Sequence, residues 1–118
     1  MVKPEIDGGN LILRVEGSDK IWALKSELVI PLAHIVDIRM DEEVVQGWWR
    51  GIKFPGTNLP GVITAGTFYQ DGQRIFWDIH HPDAAVVITL EHDVYNELVI
   101  EVEDPRSLIR DIYAIRKP

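Results

Sequence analysis

Apolar and polar residues alternate with a period of two along much of the second half of this chain. In residues 97–103, Leu98, Ile100 and Val102 fall on one side and Val99, Glu101 and Glu103 on the other. One apolar face and one charged face predict an antiparallel sheet with a wet side. Residues 84–91 form a second apolar run, paired with the first as a hairpin across Asp93-Val94-Tyr95-Asn96. Upstream, residues 62–69 and 73–80 flank Gln70-Asp71-Gly72, and Asp-Gly suits the positive φ of a tight hairpin turn. Ile75, Trp77 and Ile79 share one face of the second of these strands.

The first half is less regular. Residues 11–15 read as a short strand closed by Glu16-Gly17, and Leu28-Val29-Ile30 as a β-prone triplet stopped by Pro31. Residues 34–40 alternate, with Val36, Ile38 and Met40 as the cleaner core face. Ser18 stands at a helix N-cap position ahead of Ile21, Trp22 and Leu24, which predicts a two-turn helix ending near Lys25. Residues 44–61 are long for a loop in a compact domain and hold the turn dipeptides Pro55-Gly56 and Pro60-Gly61. At the other end, Asp104-Pro105 is a helix start, with Asp as cap and Pro at the first helical position. Leu108, Ile109, Ile112 and Ile115 follow at helical spacing, and Arg116 and Lys117 suit the negative end of the helix dipole. The pattern as a whole predicts a mainly β fold of about seven strands with a C-terminal helix, in a single domain spanning 1–118 with its core at about 11–116.

Composition narrows the chemistry. At 118 residues and 46% hydrophobic the chain is one ordinary globular domain. It contains no cysteine, which removes disulfides, thiolate nucleophiles and cysteine-based zinc sites and fits a reducing, cytoplasmic setting. The net charge of −7 disfavours nucleic acid as a partner. That charge is uneven. Residues 44–77 carry Arg50, Lys53 and Arg74 against Asp71 alone, whereas residues 78–104 carry eight acids and no Lys or Arg. The acids read as solvated strand faces, or as one strongly acidic side of the molecule.

Several stretches carry a resemblance: Gly51-Ile52-Lys53-Phe54-Pro55-Gly56-Thr57, Pro60-Gly61, Gly66-Thr67-Phe68, Phe76-Trp77-Asp78, and the run 98–105, Leu-Val-Ile-Glu-Val-Glu-Asp-Pro. With the strand order, they make the chain resemble a family of small bacterial proteins with a pleckstrin-homology-like domain. The resemblance implies a barrel of two near-orthogonal antiparallel sheets capped by the C-terminal helix, and no enzyme activity. Domains of the wider class often bind phosphoinositides through basic residues of the first inter-strand loop. Here that loop, residues 16–25, holds Lys20 and Lys25 beside Glu16 and Asp19, a charge balance that does not neutralise a polyphosphate.

No residue set forms a coherent catalytic constellation. Ser18, Ser26 and Ser107 are the available serines, none in a nucleophile elbow, and the glycines lack phosphate-loop or dinucleotide spacing. Asp78 and His80 share a strand face, with His92 as a third weak metal candidate across the hairpin, but the spacing matches no structural zinc pattern. The preferred reading of these residues is as exposed groups around the Pro82 turn, and neither metal nor cofactor is expected. Trp48 and Trp49 stand beside Arg50 and Lys53 and offer either a partner-binding patch or core packing. The expectation is therefore a non-catalytic binding module for a protein or peptide, with Trp48, Trp49, Arg50, Lys53 and Arg74 as contacts. Binding to a membrane surface or lipid head group, and self-association into a homo-oligomer, are the alternatives.

Overall fold

The computed structural model describes residues 2–15, 27–41, 64–70, 72–79 and 82–116. Among them are eight strands: β1 (Val2–Asp7), β2 (Asn10–Val15), β3 (Glu27–Pro31), β4 (Ile35–Arg39), β5 (Thr64–Gln70), β6 (Gln73–Ile79), β7 (Ala85–Leu90) and β8 (Glu97–Glu101). One helix, α1 (Pro105–Arg116), follows them. The fold is thus mainly β with a C-terminal helix. Seven strands fall where the alternation places them, and β1 is additional. The early helix around Trp22, the 44–61 segment with Trp48, Trp49, Arg50 and Lys53, and His80 lie outside the described residues.

The strands form two sheets, β1-β2-β3 and β4-β7-β8-β6-β5. Gly8 and Gly9, with φ of +57° and +85°, make the two-residue turn between β1 and β2 that needs left-handed backbone at both positions. Strands β5 and β6 pair as the predicted hairpin, with Gln70 opposite Gln73 and Gly72 at φ +78°.

Pairing is antiparallel except between β6 and β8, which run parallel with Phe76 beside Leu98 and Asp78 beside Ile100. This corrects the expectation of purely antiparallel sheets. Strand β8 inserts between β6 and β7 rather than standing at the end of a meander. Asn96 makes the insertion possible by holding both neighbours. Its side-chain oxygen accepts from Arg74 N at 2.8 Å. Its own N–H donates to Arg74 O at 2.8 Å, and its carbonyl accepts from Leu90 N at 2.9 Å.

The main core joins both sheets and the helix: Leu11, Leu13 and Ile30 from the first sheet, Phe76, Ile88, Leu98 and Ile100 from the second, Leu108 and Ile112 from α1. Tyr95 closes it with an edge-on contact to Phe76, ring centroids 5.7 Å apart. A second apolar cluster of Ile75, Trp77, Ile79, Ala85, Val87 and Val99 occupies the opposite face of the five-stranded sheet. The expected wet face is therefore covered at its centre, and even Glu101 is 2% exposed. The face of β4 also differs from the simple alternation. Its pairing with β7 slips between Ile35 and Asp37, so Val36 is the extra residue of a bulge. Ile35 and Ile38 are buried and Val36 is turned out, 46% exposed.

A one-turn 3-10 helix at Leu32–His34 links the sheets. Leu32 N donates to Gly9 O and Glu91 N to His34 O, both at 2.9 Å. The His34 ring lies 2.9 Å from the Asp93 carboxylate, tying the β7–β8 turn to this link. Helix α1 begins as the Asp-Pro pair predicts: Asp104 Oδ1 accepts from Ser107 N at 3.1 Å. Of its apolar stripe, Leu108 and Ile112 are buried, while Ile115 is 52% exposed. Truncation should separate these positions. Ile112→Ala is expected to lower unfolding free energy by about 3 kcal/mol and Ile115→Ala by under about 0.5 kcal/mol in urea titrations. Equal losses would show that the helix is not seated through this stripe.

Candidate functional site

Among the described residues, a cleft of about 700 Å³ lies between β1 and the start of α1. Strand β1 supplies one wall, residues 2–6, and Glu103, Asp104, Ser107, Leu108 and Asp111 supply the other. Its existence follows from two local facts. Strand β1 is the edge of its sheet, so one side of its backbone has no neighbour in the sheet. The Asp104 cap fixes where α1 starts, and burial of Leu108 holds that first turn beside the edge. Val2, Ile6 and Leu108 make an apolar floor. Glu5, Glu103, Asp104 and Asp111 set four carboxylates around it, against the single ammonium of Lys3.

Three of these acids have partners on the protein. Arg14 binds Glu5 and also approaches Glu27, Nε to Oε2 3.5 Å, across the outer face of the first sheet. Asp104 caps α1, and Asp111 lies 3.5 Å from Arg110. These are exposed, water-screened contacts of small individual worth.

A second polar group lies at the β4 edge of the larger sheet. Asp37, Thr89 and Glu97 stand in one row across β4, β7 and β8. Arg39 Nη1 donates to Asp37 at 3.0 Å and to Thr89 Oγ1 at 3.3 Å. Tyr113 of α1 reaches over this edge, its one hydroxyl proton shared between Asp37 Oδ1 at 2.9 Å and Ile38 O at 3.1 Å. Burial alone would raise the Asp37 carboxyl. The bonds from Tyr113 and Arg39, the Arg39 charge and a backbone bond at Ile38 outweigh it and hold the group below its ordinary value. Burial pushes Glu97 up, with the Arg39 charge opposing. This corner latches the helix to the sheet.

Arg74, one of the expected contacts, sits on β6 with both backbone polar groups bound to Asn96. Of the weak metal candidates, Asp78 and His92 stand apart, and His80 lies outside the described residues. Asp78 is buried in register with Ile100, while His92, at φ +58°, lies in the turn after β7 at the Glu97 end. Three residues of strand separate those levels, about 10 Å. Among the described residues no three His, Asp or Glu side chains gather as a metal site. The cleft itself escaped the sequence reading because β1 did. The available signal was Val2, Pro4 and Ile6 alternating with Lys3, Glu5 and Asp7 before Gly8-Gly9.

No protein-family model, curated protein or solved structure matches this chain. Among the described residues no helix is long and apolar enough to cross a membrane.

The β4 corner makes opposite pH predictions for its two acids. A carboxyl held below its unfolded value contributes stability that is present above that value and lost as pH falls through the folded one. Asp37→Asn is therefore expected to lower Tm at neutral pH, with the gap to the parent closing below about pH 4. A carboxyl held above its unfolded value costs stability as pH rises through the folded value. Glu97→Gln is expected to raise Tm at neutral pH and to match the parent below about pH 4. Gaps that do not change with pH would contradict both assignments.

Proposed function

We propose that this chain is a non-catalytic binding module that holds a segment of another protein, with the cleft between β1 and α1 as its seat. The observation that carries this reading is the cleft: an apolar floor and a polar lip, bounded by a sheet edge and a capped helix. Such a combination buries part of a ligand while fixing its orientation. Its walls stand on regular elements rooted in the main core, so the seat is largely formed before a partner arrives. The carboxylates of the lip repel phosphate, so the lipid head-group alternative gains no support at this site.

A pleckstrin-homology-like assignment belongs to the same proposal. Two sheets followed by a C-terminal helix packed into their shared core support it. The parallel β6–β8 pair stands against the fully antiparallel sheets that the resemblance implies. A cytoplasmic setting goes with the cysteine-free sequence.

A photo-crosslinking residue in place of Glu103, on the helix side of the cleft, tests the seat directly, with Val29 on the exposed outer face of the first sheet as control. In the source cells the Glu103 position is expected to yield one discrete heteromeric adduct that the Val29 position does not. The same adducts from both positions would overturn the reading. Adducts with a second copy alone would replace it with self-association.

A further inference from the structure

We infer that the segment held in the β1–α1 cleft is cationic and extended, and that it is gripped through its Lys or Arg side chains rather than added to β1 as a strand. The inference rests on the binding-module reading and specifies the partner's chemistry.

The register of β1 decides how its edge can be used. Asp7 and Asn10 flank the two-residue turn and form a hydrogen-bonded pair, as do Glu5 with Ile12 and Lys3 with Arg14. Val2, Pro4 and Ile6 fall in the alternate pairs, so their backbone polar groups point away from β2 toward the cleft side. Pro4 has no N–H. The outward edge therefore offers three carbonyls and only two N–H groups, with the gap at the middle of the wall. A strand laid against it would leave its own central acceptor without a donor, the device by which edge strands resist strand addition.

The same imbalance favours donors. Lys and Arg side chains carry only donors, and their aliphatic stems cover apolar surface while their heads reach acceptors. The lip adds four carboxylates to the outward carbonyls. Glu103 has no ion-pair partner among the described residues, and those of Glu5 and Asp111 are exposed contacts open to exchange. An anionic ligand meets one ammonium, Lys3, against four carboxylates, and the Ser107 N–H of the helix start is already taken by Asp104. A bare metal ion would not use the floor of Val2, Ile6 and Leu108. The wall from Val2 to Ile6 is about 14 Å long, room for four or five extended residues.

Two capped probes test this by amide chemical-shift mapping on the full chain: acetyl-Lys-Val-Lys-Val-Lys-amide and its Glu counterpart. The basic probe is expected to shift Val2–Ile6 and Glu103–Asp111, with affinity falling as salt rises. Its Kd should weaken about tenfold in Glu103→Lys/Asp111→Lys. It should stay within about twofold in Asp83→Lys/Glu91→Lys, which reverses two acids outside the cleft. A basic probe with alternate backbone nitrogens methylated should bind as well as the parent, since no strand ladder is made. Equal weakening by both charge-reversed variants would overturn the inference by showing diffuse attraction to an acidic protein. Loss of binding on methylation would overturn the side-chain grip. Cleft shifts from the acidic probe alone would overturn the charge assignment and leave the seat standing. An absence of cleft shifts with either probe would remove both.

Discussion

The structure depends on the burial of one stripe of α1 in the space that the two sheets share. A helix of 12 residues is marginal in water by itself. Leu108 and Ile112 enter the same core as Leu11, Leu13, Phe76 and Leu98, and each full burial contributes about 1.5–3 kcal/mol. Asp104 sets the first turn and Tyr113 latches the third to β4. With both ends fixed, the helix also becomes a wall: its first turn faces β1 and makes the cleft.

The larger sheet obeys a different constraint. Placing β8 between β6 and β7 gives it two neighbours and leaves β4 and β5 as the edges. Central strands covered on both faces suit apolar side chains at every position, which is what 98–100 and 86–88 supply as Leu-Val-Ile and Val-Val-Ile. The β4 edge is blunted by a bulge at Val36 and by the Tyr113 hydroxyl on Ile38 O. The β1 edge is blunted by Pro4 and by alternating charges. The β1 edge in addition has the first turn of α1 standing off beside it to enclose space.

Elements were legible in the sequence wherever a local rule sufficed. Asp71-Gly72 marked its hairpin, Asp104-Pro105 its helix start, and the period of two marked most strands. What failed was whatever depended on a distant neighbour. Glu101 looked like a solvent residue because alternation says which residues share a face, not whether that face is covered. Val36 looked like core because a bulge shifts every later side chain by one and leaves little trace in composition. The parallel β6–β8 pair rests on Asn96 bonds that no spacing rule announces. Strand β1 was hidden by Pro4, which normally argues against a strand and here marks an edge. The cleft was lost with it, and the aromatic and basic candidates of 44–61 drew attention instead.

Hydrogen exchange at the Ile112 amide tests the seating of α1 most directly, since both the enclosed core and the cleft require it. This amide is expected to exchange only with global unfolding, as slowly as Leu98 and Ile88 at the centre of the larger sheet. Exchange near the rate of an unstructured peptide, with the sheet amides still protected, would show a helix that frays independently and a cleft without its second wall.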